Sequence, residues 1–252
     1  MAVSHPIGGL LPGANYFYRI SATNSAGGRL SSTLSFPALS QFTQLSSTLS
    51  GTVSGGMVWG DFDSDGLLDM MVSATTGTRL YRNLGNGSFT NLATTIPYFN
   101  PAAIIAEDYN QDGRLDVLIS GNLAGTPSCR LYRNAGNFNF APVTVSLAPL
   151  TCRTPAWLDF DRDGRADLLL AGETNGVAAT LLYRNLGDAG FAVQPLALPV
   201  YLDATAAVAD YDNDGWPDIF LAGRTGTQFA DVYAVLLRNT GAGDFQVTSN
   251  SF

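Results

Sequence analysis

Lysine does not occur in this 252-residue chain, and its 13 basic residues, all arginine, are scattered along it. That lack removes the basic stripe with which a protein tracks a phosphate backbone, so nucleic acid is not an expected partner. Histidine occurs once, as His5 in a terminal segment, and cysteine twice, as Cys129 and Cys152. These residues fit neither a zinc pattern nor a disulfide-dense scaffold. The two thiols are compatible with one bridge in an oxidising compartment or with two free buried side chains. No apolar run reaches the roughly 18 to 20 residues of a spanning helix, so membrane insertion is not expected. The opening Met-Ala-Val-Ser-His-Pro has neither a basic start nor an apolar run and does not read as a secretory signal. Any export signal is expected to lie outside this sequence.

What is present is a compact-globule composition, 46% hydrophobic and 13% charged, organised around one repeated sentence. Asp61-Phe62-Asp63-Ser64-Asp65-Gly66-Leu67-Leu68-Asp69 returns at Asp108 to Asp116, at Asp159 to Asp167 and at Asp210 to Asp218, with starts 47, 51 and 51 residues apart. A period of that size means an array of like units. Oxygen ligands at positions 1, 3 and 5, a glycine at 6 for the sharp turn and a carbonyl at 7 form the front half of a calcium loop. The ligands expected on this pattern are Asp61, Asp63, Asp65 and the Leu67 carbonyl; Asp108, Asn110, Asp112 and Arg114; Asp159, Asp161, Asp163 and Arg165; Asp210, Asp212, Asp214 and Trp216. Position 9, Asp69, Asp116, Asp167 or Asp218, is expected to close each site from the first residue of the next strand. Four calcium ions are therefore expected.

An EF-hand would need a bidentate Glu at position 12, where this chain has Val72, Ile119, Leu170 and Leu221. The residues after each loop are short apolar runs ended by Gly or Ser, which read as buried strands. Asp-rich turns also form without metal, but four copies in one register, with ligand types kept and neighbours varied, point to an ion. All acidic residues except Glu107, Glu173, Asp188, Asp203, Asp231 and Asp244 sit at ligand positions. The formal charge of -8 is thus concentrated where divalent cations would neutralise it.

A second marker fixes the phase of the repeat. Leu80-Tyr81-Arg82-Asn83, Leu131-Tyr132-Arg133-Asn134 and Leu182-Tyr183-Arg184-Asn185 recur, with Leu236-Leu237-Arg238-Asn239 as the fourth, and Phe89, Phe140, Phe191 or Phe245 follows each. Units run over 42–88, 89–139, 140–190 and 191–244. Each reads as four strands: one starting at the Phe, one leading into the acidic loop, the apolar run after it, and the Leu-Tyr-Arg-Asn segment. Four short strands per repeat of this length is a propeller signature. Phe62, Tyr109, Phe160 and Tyr211, second in each loop, are expected to pack between neighbouring sheets. Ahead of the array, residues 1–37 alternate around Tyr16, Tyr18 and Ile20 and turn at Asn24 to Gly28, a hairpin pattern.

On these residues the loops resemble integrin-type FG-GAP and VCBS repeats, whose calcium loops join the first and second strands of propeller blades. Residues 1–37 resemble the last strands of a fibronectin type III domain, with Tyr16 at the tyrosine-corner position. The resemblance implies an all-β chain of four four-stranded antiparallel blades over 38–252, an open arc of a seven- or eight-bladed ring, after a β-hairpin remnant of a longer modular protein. It covers residues 42–245, with Asn110 the one ligand substitution.

Catalysis is not expected, because nearly all carboxylates are claimed as ligands and neither cysteine has a histidine partner. The leading expectation is an extracellular calcium-binding module for adhesion, with a protein or glycan ligand on the face opposite the calcium loops. There Thr75 to Thr78, Asn122 to Ser128, Glu173 to Thr180 and Arg224 to Val232 vary between blades, and the connections entering the inner strands carry Pro97 and the aromatics Tyr98, Phe99 and Tyr201. Alternatives are the propeller part of a secreted polysaccharide-degrading enzyme such as a lyase, and a structural spacer. Calcium loops of this kind would fill outside a cell, where modules bind at roughly 10⁻⁴ to 10⁻³ M.

Overall fold

A computed structural model of the chain describes residues 14–19, 21–24, 27–37, 53–75, 77–100, 102–225 and 232–248. The chain forms two compact units, Met1–Ser46 and Ser47–Phe252. In the first, β1 (Asn15–Tyr18) pairs antiparallel with β4 (Leu34–Pro37), and β2 (Ser21–Asn24) pairs with β3 (Gly27–Leu30). The strand expected from Phe42, and His5, lie outside the described residues.

The second unit holds four antiparallel sheets, each with its strands in chain order. Blade 1 is β5 (Val53–Gly60), β6 (Asp69–Ala74), β7 (Gly77–Asn83) and β8 (Phe89–Ala93). Blade 2 is β9 (Ala102–Glu107), β10 (Asp116–Leu123), β11 (Thr126–Asn134) and β12 (Phe140–Pro142). In blade 3 the first strand is broken into β13 (Thr151–Cys152) and β14 (Ala156–Leu158), both paired with β15 (Asp167–Thr174), followed by β16 (Val177–Asn185) and β17 (Phe191–Val193). Blade 4 is β18 (Leu202–Ala209), β19 (Asp218–Arg224), β20 (Val232–Asn239) and β21 (Phe245–Thr248). The strand that begins at each Phe is thus the outermost strand of the preceding sheet, one strand out of step with the sequence unit. The fold is all-β with propeller-type blades.

The second strands of blades 1, 2 and 3 are buried on both faces, and their apolar runs therefore do not alternate with polar residues; in blade 4 Phe220 of β19 is 37% exposed. In blades 2 and 3 one face of the run packs on the blade before and the other on the blade after. Met71 and Leu80 of blade 1 share a core with Val117, Ile119 and Tyr132 of blade 2. Leu118 and Leu131 of blade 2 meet Leu168, Leu170 and Tyr183 of blade 3, with Cys152 buried and Cys129 half-buried there as free thiols. Leu169 and Leu182 of blade 3 meet Ile219, Leu221 and Leu237 of blade 4.

Two of the connections between second and third strands are tighter than the sequence implies, while Thr75 to Thr78 and Arg224 to Val232 lie partly outside the described residues. Asn122 to Ser128 is almost entirely strand, closed by Ala124 and Gly125 at φ 50° and 83°, and Glu173 to Thr180 is closed by Asn175 and Gly176 at φ 51° and 79°. Two successive left-handed residues make the two-residue hairpin turn whose twist matches the strands. The aromatics expected on this face are largely absorbed in packing: Phe99 is fully buried in the core between blades 1 and 2, and Tyr201 is half-buried against the core between blades 3 and 4.

Candidate metal centres

Each acidic loop joins the first strand of a blade to the second, and the four loops share one backbone. Position 4 is left-handed in every copy, at Ser64, Gln111, Arg162 and Asn213 with φ between 57° and 61°, and the glycine at position 6 has φ between 81° and 89°. Only glycine adopts that second conformation at little cost. The position-1 carboxylate then accepts the glycine N–H five residues on: Gly66 N–H to Asp61 at 2.8 Å, Gly113 to Asp108 at 2.8 Å, Gly164 to Asp159 at 3.0 Å and Gly215 to Asp210 at 2.9 Å.

Position 9 is the buried anchor. Asp69, Asp116, Asp167 and Asp218 are all essentially inaccessible to solvent. One carboxylate oxygen of each accepts the N–H of the blade's Leu-Tyr-Arg-Asn asparagine, at 2.7 to 2.8 Å. The other oxygen accepts the N–H of the loop's second residue in three copies, from Phe62, Phe160 and Tyr211. Burial pushes the Asp116 and Asp167 carboxyls up to about 7, against backbone donors that pull them down. Asp69 is raised for the same reason.

Carboxylate oxygens of positions 1, 3 and 9 come together within 4.8 Å in three loops: Asp61, Asp63 and Asp69; Asp159, Asp161 and Asp167; Asp210, Asp212 and Asp218. In the second loop position 3 is Asn110, whose side-chain oxygen accepts the Asp112 N–H at 3.0 Å. Buried oxygens of Asp63, Asp159 and Asp116 have no hydrogen-bond partner. A buried carboxylate oxygen without a donor is costly, and the all-oxygen sets that converge in the three clusters suit a hard divalent cation. The residues therefore fit calcium.

Position 5 stands apart from these clusters. Asp65, Asp112, Asp163 and Asp214 each accept the N–H of position 7, from Leu67, Arg114, Arg165 and Trp216. Their other oxygen takes a guanidinium that the sequence reading did not assign: Arg82, Arg133, Arg184 and Arg238, the arginine of Leu-Tyr-Arg-Asn or its counterpart. Three of these also reach position 3, as Arg82 to Asp63 at 2.7 Å, Arg184 to Asp161 at 2.6 Å and Arg238 to Asp212 at 2.5 Å. Burial raises Asp112 and Asp163, yet the arginines and the position-7 N–H hold both below the ordinary carboxylate value. The fourfold recurrence of Arg at fixed distance from the loop was the available signal.

The neighbouring asparagine has a second function that crosses blades. Asn134 Nδ2 donates to the Phe62 carbonyl of loop 1 at 2.9 Å, Asn185 to Tyr109 of loop 2 at 2.7 Å, and Asn239 to Phe160 of loop 3 at 2.8 Å. Blades 2, 3 and 4 are thus each pinned to the acidic loop of the one before. Phe62 packs edge-on to Phe140 at 5.8 Å, and Tyr109 lies 5.9 Å from Phe191, so these second residues do pack between sheets. Tyr211 does not follow them; it is 45% exposed.

Blade-forming sheets whose first two strands are joined by carboxylate-lined loops define the class, a repeat protein of the propeller type. The chain belongs to the FG-GAP-like repeat family, whose profile matches residues 61–119, 108–170 and 159–221. Among solved structures it is similar to the one described as the structural basis of specific recognition of non-reducing terminal N-acetylglucosamine by an Agrocybe aegerita lectin. Identity is 21%, the TM-score 0.54, and the match covers 86% of this chain and 57% of that one. A weaker likeness is to the V. cholerae biofilm matrix protein Bap1, with 17% identity, a TM-score of 0.45, and coverage of 77% of this chain and 28% of that one. No curated protein matches the sequence. Among the described residues no helix is long and apolar enough to cross a membrane.

Proposed function

We propose that the chain is a calcium-stabilised, non-catalytic binding module of an extracellular protein, that its four acidic loops each hold one calcium ion, and that its ligand is a glycan. The donorless buried carboxylate oxygens carry the calcium part of this reading. With the ion bound, Asp61, Asp63 and Asp69 and their counterparts would be its ligands, and its charge would offset their mutual repulsion. The strand pairs of the first unit fit the tail of a fibronectin type III-like domain in a longer modular protein.

The ligand reading is supported by a hollow of about 220 Å³ at the end of the blades away from the acidic loops, lined by Ala102, Thr151, Cys152, Arg153, Glu173, Asp203 and Ala204. Asp203 sits in a bulge of β18 with φ 50°, and its two carboxylate oxygens are gripped separately by Arg153 and Arg224. A bulge of this kind re-aims a side chain, and such devices cluster at binding sites. Guanidinium donors beside carboxylate and hydroxyl acceptors in a space fit for one sugar ring suit a polyol. The similar lectin recognises N-acetylglucosamine, which makes that sugar the first probe.

Calorimetric melting with calcium and then with chelator tests the metal; an unchanged melting temperature would remove it from the proposal. Glycan-array screening followed by titration of the best sugar tests the ligand. Glu173→Gln and Arg153→Ala should each weaken that binding by roughly tenfold or more, as expected for lost charged hydrogen bonds. Affinity untouched by both would place the sugar elsewhere.

A further inference from the structure

Position 4 of each acidic loop is left-handed, a conformation that glycine and asparagine adopt most cheaply. Loop 4 has asparagine there, as Asn213, but loops 2 and 3 have Gln111 and Arg162, longer side chains held in the same backbone conformation. Both use their length on the following loop. Gln111 Nε2 donates to the Gly164 carbonyl of loop 3 at 2.6 Å. Arg162 lays its guanidinium over the Trp216 ring of loop 4 at 5.3 Å, and its Nη1 lies 3.1 Å from the place a Cβ on Gly215 would take. Position 4 of loop 2 or 3 therefore falls beside position 6 of the next loop, a register set by the stacking of the blades. Serine at position 64 of loop 1 has no side chain of that length.

The Gly164 carbonyl is a point at which the loop 3 backbone can turn. It belongs to a planar peptide whose N–H, on Arg165, donates to Asp163 at 3.0 Å, while the N–H of Gly164 itself donates to Asp159 at 3.0 Å. Gly164 stands at φ 86° and has no side chain to restrict rotation on either side. Asp163 and Gln111 thus hold the two edges of one peptide plane, and that plane leads the chain into the Arg165 carbonyl at position 7. The same loop carries Asp159, Asp161 and Asp167, one of the three carboxylate clusters. One restraint on the backbone that frames this cluster therefore comes from blade 2.

We infer that Gln111 is a positioning residue for the calcium site of loop 3, a side chain of one acidic loop that preorganises the ion site of the next. The inference rests on the calcium reading of these loops. Gln111 acts by holding the peptide between Gly164 and Arg165, so that less backbone freedom remains to be lost when the ion arrives. Arg162 repeats the arrangement between loops 3 and 4, but its charge also repels the ions on either side of it. Gln111 is neutral, and its removal changes no charge near either loop.

Calcium titration of the full chain, isotope-labelled at the glycine nitrogens and followed by nuclear magnetic resonance, tests this. The amides of Gly66, Gly113, Gly164 and Gly215 each donate to the position-1 carboxylate of their own loop, so each reports one site. Gln111→Ala keeps the Cβ, and Gln111→Met keeps the length and loses the donor. Both should raise the Gly164 midpoint about two- to fivefold, as expected for the loss of one exposed hydrogen bond. Gly66 should keep its midpoint, and Gly113, in the loop that carries residue 111, should move less than Gly164. Gln111 is exposed, so both variants should fold, and if one does not the other still reads the site. A wild-type Gly164 midpoint in either folded variant overturns the inference. A larger shift at Gly113 than at Gly164, which would assign Gln111 to its own loop, overturns it equally, as does an equal shift at all four amides, which would be general loosening. Four amides that ignore calcium altogether overturn the calcium reading and this inference with it, whereas calcium binding with Gly164 indifferent to both variants removes this inference alone.

Discussion

Replacing Asn134 by alanine should cost far more than the same change at Asn83, although the two residues occupy one position of the repeat. Asn134 is fully buried; its amide donates to the Phe62 carbonyl at 2.9 Å and the Leu115 carbonyl at 3.2 Å, and its oxygen accepts the Gly136 N–H at 3.0 Å. Alanine leaves all three groups without that partner. The Leu115 and Gly136 groups lie near solvent and recover part of the loss through water. The Phe62 carbonyl lies in the junction between blades 1 and 2 and recovers none, and a buried group left unsatisfied costs about 1–3 kcal/mol. With the two local bonds at about 1 kcal/mol each, Asn134→Ala should destabilise by about 3–5 kcal/mol and Asn83→Ala by about 1–2 kcal/mol. The difference between the variants, about 2 kcal/mol, isolates the inter-blade bond. Urea unfolding in calcium at low protein concentration reads both, as shifts of midpoint at constant slope. Equal losses for the two variants would refute the claim that the asparagine holds one blade to the next.

The other predictions concern charge and close contact. In chelator the melting temperature should fall as pH rises from about 5 to about 8, because Asp116 and Asp167, raised to about 7, bind a proton more tightly folded than unfolded and lose that advantage across this window. The groups held low by arginine, such as Asp112 and Asp163, titrate below the window and do not offset the fall; saturating calcium should abolish it, and a pH-independent melt in chelator would refute the assignment. Arg184→Gln should tighten calcium binding by about three- to tenfold in isothermal titration, since an exposed guanidinium on Asp161 and Asp163 competes with the ion for charge. Weaker binding would instead assign the arginine to holding the ligands in place. Gly172→Ala should lower stability by about 1–3 kcal/mol, measured by the same urea unfolding, because its Cβ would lie 2.5 Å from the Thr151 carbonyl oxygen of the strand beside it.

What could be read without coordinates was whatever repeats at fixed spacing with a fixed chemical type. The glycine at position 6 and the aspartates at 1, 3 and 9 need one backbone path to work, so their spacing carries the loop, and the apolar run after each loop carries the strand that follows it. Proximity that depends on a second element is not written that way. Asp65 and Asp69 stand at equal rank in the nonapeptide, but the strand that starts at Asp69 buries its carboxylate against the Phe62 and Asn83 amides, while Asp65 is drawn off by Arg82 from across the sheet. Asn134 is still further from legibility. Its amide reaches a carbonyl 72 residues back, in the preceding repeat, and only stacking of the blades creates that contact. The same stacking explains Tyr211. Its residue type obeys the repeat, yet its exposure depends on the blade that would follow, so an identical motif is a packing residue at Phe62 and a surface residue at the end of the array. In a protein built by repetition, the sequence of a unit specifies the contacts it can make, and its place in the array decides which of them it does make.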